Sequence, residues 1–214
     1  MERKPCPPSC VDCAVAACRR NQEDRYPEFC LTKNMDPEIL AETQALYQEP
    51  ENNRITRMSA KVEAEHYCQM TRVEEIAQFA KEMGYEKLGI ATCVGLLSEA
   101  RIAAKVFRAK GLQVYGVACK CGAQRKSSVG IDSKCEAIGP NMCNPILQAR
   151  LLAEAGTELN VAVGLCVGHD SLFYKYSQAP VTTLITKDRV TGHNPAAALY
   201  LSGGYYSRLL KEEE

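Results

Sequence analysis

Residues 87–118 read KLGIATCVGLLSEARIAAKVFRAKGLQVYGVA, and this stretch decides the fold. Its first seven residues are mostly apolar and predict a buried strand. Residues 98–110 repeat apolar side chains at helical spacing, and Gly111 is a good stop for that helix. Residues 112–118 predict a second strand. A strand, a helix and a further strand in succession are typical of a right-handed crossover in a parallel sheet.

The same alternation continues toward the carboxyl terminus. A long loop from Cys119 to Asn144 precedes a helix opened by Pro145. After it the pattern predicts a strand at 159–166, a short helix to residue 176, a strand at 181–186 and a helical tail at 194–210. We therefore expect residues 71–214 to form an α/β domain. Its core is a mostly parallel, Rossmann-like sheet of about four to five strands with helices on both faces.

A helical connector is expected over residues 36–70. Asp36 and Pro37 have the types favoured at an N-cap and a first helical position, and Pro50 is expected to end that helix. A second helix is expected over residues 53–68, which would place Cys68 within a helix as a packing residue. Thr71 and Glu74 then form a capping-box pattern at the start of the α/β domain.

The first 35 residues form a cysteine-rich segment with little hydrophobic periodicity. Cys10, Cys13, Cys18 and Cys30 supply four thiols, and the two-residue spacing of the first pair is common in zinc and iron–sulfur sites. We expect these four to bind a metal that orders the segment, as Zn²⁺ or as a [4Fe–4S] cluster. The spacing does not choose between the two, and Cys6 could replace one of the four.

A second set of soft ligands follows the strands. Cysteines occur at or just after the ends of three predicted strands and before one crossover helix, and a histidine follows the third strand: Cys93, Cys119, Cys121, Cys143, Cys166 and His169. The carboxyl ends of parallel strands meet at one edge of a sheet, where ligands bind. These side chains could hold a second metal or Fe–S cluster or form a reactive dithiol. The alternative is that each cysteine packs in the core as a small apolar residue. The roles of Cys135 and His193 stay open.

Composition excludes several classes of function. The 26 basic and 26 acidic residues balance, and tryptophan is absent, so neither a nucleic-acid partner nor a membrane surface is expected. The first residues lack the apolar run of a secretory signal, and no apolar stretch is long enough to span a membrane. We expect a cytoplasmic protein, in which 12 cysteines serve as metal ligands or redox groups rather than as a disulfide framework. An anaerobic host would suit so many thiols.

Several motifs together resemble a known family. They are the Cys-x2-Cys-x4-Cys cluster, TCVGLLSEA, CKCG, MCNPILQA and GLCVGHDSLF. The chain is similar over nearly its whole length to uncharacterised, predicted metal-binding proteins of archaea and anaerobic bacteria. The resemblance implies metal binding at Cys10, Cys13, Cys18 and Cys30, and it implies no particular reaction.

Three functions are compatible with these patterns. The first is a metal-binding protein with the N-terminal four-cysteine site and a second thiol-rich site at the sheet edge. The second is an Fe–S redox enzyme that uses the strand-end cysteines as cluster ligands, with a small-molecule substrate or a redox partner protein. The third is a thiol-based carrier or sensor of metal or sulfur that uses Cys119 and Cys121. Whether the protein is an enzyme is left open by the sequence.

Overall fold

A computed structural model describes residues 6–211, and the chain divides into two compact units at Arg57 and Met58. The first unit contains three short 3₁₀ helices, at Cys10–Asp12, Ala17–Arg20 and Glu23–Arg25. After them come the helices α1 (Leu31–Asn34), α2 (Pro37–Leu46) and the start of α3 (Pro50–His66).

Two expectations for this region were wrong. Pro50 does not end a helix, because α2 already stops at Leu46 and Pro50 is the first residue of α3. The missing N–H of a proline costs nothing at that position. Cys68 does not pack within a helix, since α3 ends at His66 and Cys68 is exposed with a positive φ of 57°.

The second unit alternates strands with helices. Its elements are α4 (Arg72–Glu82), β1 (Lys87–Thr92), α5 (Leu97–Ala109), β2 (Gln113–Ala118), α6 (Pro145–Glu154), β3 (Leu159–Val163), α7 (His169–Tyr176), β4 (Val181–Ile185) and α8 (Ala196–Tyr200). Between β2 and α6 the long loop contains 3₁₀ turns at Lys126–Val129 and Ser133–Ile138. Across residues 6–211, none of the helices combines the length and apolar character needed to cross a membrane.

The strands form one parallel sheet in the order β2-β1-β3-β4. The chain leaves β1 toward β2 on one side, and β3 lies on the other side of β1. The order therefore reverses between β1 and β3, which is where open α/β sheets bind ligands. The predicted parallel α/β sheet is confirmed.

Helices cover both faces of this sheet. Leu88 and Ile90 of β1 pack in a core that includes Phe107 of α5. Ala91 points to the opposite face, where Phe173 of α7 is also buried. Alternate residues of β1 thus enter different cores, as the two-residue period of a strand requires.

A glycine allows a polar side chain to enter the second core. A Cβ atom added at Gly89 would lie 2.0 Å from Oδ1 of Asn160 on the neighbouring strand. That Oδ1 accepts a hydrogen bond from the Thr157 hydroxyl at 2.8 Å, and Nδ2 of the same amide donates to Ser177 at 2.8 Å. Gly89 is therefore required by the close approach of a buried hydrogen-bonded amide.

Candidate functional site at the carboxyl edge of the sheet

Two cysteines are fixed where β1 and β2 end. The backbone N–H of Cys93 donates to the Val163 carbonyl at 3.1 Å, and that of Cys119 donates to the Thr92 carbonyl at 2.8 Å. Both bonds extend the parallel ladder by one residue. The two thiols are thereby brought side by side at the carboxyl edge of the sheet, and they are 8% and 2% exposed.

The long loop returns a third cysteine to the same place. The backbone N–H of Asn144 donates to the Cys119 carbonyl at 2.7 Å, so its neighbour Cys143 lies next to Cys119. The Asn144 side chain also caps α6 by accepting from the Leu147 N–H at 3.0 Å. A helix cap therefore fixes the end of the loop that carries Cys143.

Three thiols and one imidazole form a continuous chain of contacts, which we call the thiol row: Cys93, Cys119, Cys143 and His169. Cys119 stands in the middle and is hydrogen-bonded to both neighbouring sulfurs, and Cys143 is also bonded to the imidazole. The Val94 N–H donates to Cys119 Sγ at 3.4 Å. The row starts at β1, crosses to β2 and ends at the first residue of α7.

The hydrogen bonds within the row displace its pKa values in opposite directions. The thiol of Cys119 lowers the pKa of Cys143 to about 4 and that of Cys93 to about 5, and further donors act on each of these two sulfurs. Cys119 itself, buried between the two sulfurs, has its pKa raised. The pKa of His169 is raised because its imidazole is bonded to the Cys143 sulfur. Cys119 carries one S–H proton and can donate it to only one neighbouring sulfur at a time, so the row favours a thiolate next to a protonated Cys119.

Cationic side chains surround the row. The Lys187 ammonium donates to the Cys93 sulfur, and a Cβ added at Gly95 would lie 3.6 Å from Lys187 Nζ. The Arg189 guanidinium donates to Cys166 Sγ at 3.2 Å and is near enough to Cys93 and Cys143 for both to raise its pKa after that main contact. Lys120 also lies close enough to Cys143 to lower its pKa.

A buried glutamine supports the row from below. Gln148 of α6 is 0% exposed, and its Nε2 donates to the carbonyls of Thr92 at 3.1 Å and Val117 at 2.7 Å. Thr92 is the last residue of β1 and Val117 is the last but one of β2, so both carbonyls lie just before Cys93 and Cys119. The amide thus joins the two strand ends that carry the central thiols.

Sequence reasoning missed some of these residues. Lys187 and Arg189 follow β4, and residues that follow parallel strands meet at the same edge of the sheet as the cysteines. Both have basic side chains, whereas the search for strand-end residues covered only soft metal ligands. Gln148 is a polar residue on the apolar side of α6, next to the buried Ala149, which is a recognisable signal for a buried hydrogen bond.

Other residues singled out from the sequence have no bond to the sulfurs of the row. Cys121 and Cys135 are exposed, and Cys166 contacts Arg189. The Cys119–Cys121 pair of the carrier hypothesis is therefore not an accessible dithiol, since Cys119 is buried and bonded to other partners. His193 belongs to a turn, in which its Nδ1 accepts from the Asp188 N–H at 3.1 Å.

The N-terminal cysteines are placed in a loosely packed region. Cys10 and Cys18 are exposed, and Cys13 and Cys30 are half-buried. Throughout residues 6–211, no group of three or more Cys, His, Asp or Glu side chains surrounds a common point in the way a metal ion requires. The N-terminal four-cysteine site stays a prediction.

Comparison with known proteins finds a sequence relative and a solved structure of low similarity. An uncharacterised protein of Methanocaldococcus jannaschii is 45% identical over 186 residues, which cover 86% of this chain and 95% of that one. The crystal structure of Dph2 from Pyrococcus horikoshii with a 4Fe-4S cluster has a TM-score of 0.35 and 16% identity, over 65% of this chain and 33% of that one. Residues 30–184 match the family model described as a protein of unknown function, DUF1847. Because that match and the archaeal relative both span most of the chain, the protein belongs to the DUF1847 family.

Proposed function

We propose that this protein is a cytoplasmic metal-binding protein whose thiols Cys93, Cys119 and Cys143 hold a thiophilic metal centre, either an iron–sulfur cluster or Zn²⁺. One observation carries the proposal. Three cysteines from three separate segments contact one another where the strand order of the sheet reverses. Cysteines that served only as small apolar residues would have no reason to meet there.

The chemistry of the donors fits such a centre. Thiolate is the ligand that zinc and iron–sulfur clusters prefer, and the adjacent His169 supplies an imidazole. In the structure the side chains stand in a row, so holding an ion requires Cys93 and Cys143 to close toward each other around Cys119. The three thiolates alone would leave one position open, which His169 would fill if it also bound. A metal there would supply Lewis-acid or electron-transfer chemistry.

The surrounding residues prepare the thiols for this role. Hydrogen bonds from Val94 and Lys187 stabilise sulfur in its anionic form, and Gln148 fixes the strand ends beneath it. Metal binding releases thiol protons, so a site that already stabilises thiolates binds metal more strongly at neutral pH. Arg189 and Lys120 further reduce the charge repulsion among closely spaced thiolates.

A second proposed site comprises Cys10, Cys13, Cys18 and Cys30. Packing supports it, since Ala17 is the only buried residue between positions 6 and 57. A segment with so little buried apolar surface gains its order from another source, and four thiolates on a metal ion provide one. We propose a structural role for this site.

A thiol carrier or sensor is the competing function. The row arrangement and the lowered pKa of Cys143 favour it, because a stabilised thiolate beside a second thiol can accept a thiophilic group without any resident metal. Its reactive group would be Cys143 in contact with Cys119, in place of the Cys119–Cys121 pair.

Titration with Co²⁺ tests the metal site. Cobalt replaces zinc in sulfur sites and gives a thiolate-to-metal absorption band, so the reduced wild-type protein is compared with Cys119→Ser and Cys135→Ser. We expect the band in wild type and in Cys135→Ser, whose side chain is exposed and outside the row. In Cys119→Ser the part of the band from the sheet-edge site should disappear. Equal band intensity in all three proteins would contradict the proposal and leave the carrier function.

A further inference from the structure

Three basic side chains at the sheet edge are not paired with carboxylates. Within residues 6–211, none of Lys120, Lys187 and Arg189 forms an ion pair with a carboxylate. Their polar partners are sulfur atoms and a backbone carbonyl: Cys93 for Lys187, Cys166 for Arg189 and the Asn141 carbonyl for Lys120.

Acidic side chains near these cations are engaged elsewhere. Asp188 lies between Lys187 and Arg189 in the chain, and its Oδ1 accepts from the N–H groups of Val190 at 2.8 Å and Thr191 at 3.0 Å. Glu99 accepts a hydrogen bond from the Ser98 hydroxyl at 2.6 Å and forms no ion pair with Lys187. A site with unpaired cations next to buried apolar walls attracts anions.

Arg189 has the geometry that recognises an oxyanion. It is exposed, and one of its terminal nitrogens is engaged at Cys166 Sγ, at 3.2 Å. The remaining guanidinium donors have no partner among the described residues. A planar guanidinium binds carboxylate or phosphate oxygens through paired hydrogen bonds. Lys187 adds a point charge beside Cys93, since a Cβ added at Gly95 would lie 3.6 Å from Lys187 Nζ and 3.9 Å from Cys93 Sγ, and Arg189 is also near Cys93.

We infer that Arg189 and Lys187 form a binding site for a small oxyanion, a carboxylate or phosphate group of a small molecule, directly beside the thiol row. The arrangement places the rest of such a molecule against Cys93 and Cys143, the two sulfurs that flank Cys119. This inference goes beyond the metal proposal, and its cations are present whether or not a metal is bound.

Calorimetric titration with inorganic phosphate and, separately, with malonate tests the inference. The reduced full-length protein is titrated at pH 7 in low salt, both chelator-treated and metal-loaded. Loss of a charge-assisted contact should raise Kd by about tenfold to a hundredfold in Arg189→Gln and in Lys187→Met. Arg189→Lys keeps the positive charge and loses the paired N–H donors of the guanidinium, so its Kd should lie between those of Arg189→Gln and wild type.

The matched control is Arg150→Gln, on the exposed side of α6, which should change Kd by less than about twofold. Binding of only one of the two anions identifies the headgroup and supports the site. The inference is overturned when wild type binds neither anion below about 10 mM, or when all variants bind as wild type does. Anion binding by chelator-treated protein keeps the inference standing even if the metal proposal fails.

Discussion

Alanine at Gly89 should destabilise the α/β unit through one identifiable clash. The new Cβ would lie 2.0 Å from Asn160 Oδ1 and 3.1 Å from both terminal methyl groups of Leu152. The amide must therefore move by about 1.4 Å to reach ordinary contact at 3.4 Å. Such a movement breaks its 2.8 Å bond from Thr157 and strains its bond to Ser177.

The magnitude follows from these contacts. A buried polar group that loses its partner costs about 1–3 kcal/mol, and overpacking against Leu152 costs a further ~1–3 kcal/mol. Alanine lowers the backbone entropy of the unfolded state relative to glycine, which stabilises the folded state by about 0.5–1 kcal/mol and offsets part of this loss. We expect a net loss of about 3 kcal/mol in the free energy of unfolding.

Gly116 offers a matched control in the neighbouring strand β2. A Cβ there meets only atoms of Ile90, at 3.8 and 3.9 Å, which is ordinary contact. Gly116→Ala should therefore be neutral or stabilising by up to about 1 kcal/mol. Both glycines lack a positive φ, so the comparison isolates the steric clash from backbone strain.

Hydrogen exchange read out on peptides from β1 and β3 measures the effect within the α/β unit. A loss of about 3 kcal/mol should speed exchange of the most protected amides by roughly a hundredfold in Gly89→Ala. A Gly89→Ala/Asn160→Ala double variant has no clash, because the Asn160 amide is absent. Its loss of stability should therefore be well below the sum of the losses in the two single variants. Exchange in Gly89→Ala within about threefold of that in Gly116→Ala would refute the packing argument.

The buried glutamine, the Cys143 thiolate and the N-terminal cysteines can each be tested separately. Gln148→Met removes two buried hydrogen bonds and should cost about 2 kcal/mol, with faster hydrogen exchange at the ends of β1 and β2; a change confined to α6 would contradict its supporting role. In reduced, chelator-treated protein, the pKa of about 4 keeps Cys143 a thiolate above pH 5, so its alkylation rate should be nearly flat from pH 8 to 6 and fall below about pH 5. A tenfold fall per pH unit between 8 and 6, as for an ordinary thiol, would show that the pKa is not lowered. Cys10→Ser should release metal and make the N-terminal 35 residues protease-sensitive while the sheet stays folded; equal protease resistance in variant and wild type would count against the N-terminal site.

The parallel sheet could be read from the sequence because its signals are local. The apolar run at Lys87–Thr92 and the helical period before Gly111 each depend on residues close in the chain. The convergence of Cys93 and Cys119 followed from topology, since parallel strands end at one edge. The ends of α2 and α3 were misjudged because Pro50 suits the start of a helix as well as the residue after one.

The internal order of the site could not be predicted. Which cysteines touch depends on the path of the long loop, which returns through the bond from Asn144 to the Cys119 carbonyl. That bond joins residues far apart in sequence and has no local signature. The exclusion of Cys121 likewise depends on the direction of a single turn after β2, where the chain carries one cysteine into the row and the next to the surface. Spacing alone treats the two as equivalent.

The central claim is that the thiol row holds a thiophilic metal. Its most direct test is the metal and acid-labile sulfide content, with the visible spectrum, of anaerobically purified wild type and of Cys93→Ser/Cys143→Ser. Cys68→Ser/Cys135→Ser is the control, since both of its cysteines are exposed. We expect the row variant to lose metal equivalent to one centre per chain, while the control keeps the wild-type content. Identical metal and sulfide content in all three proteins would contradict it.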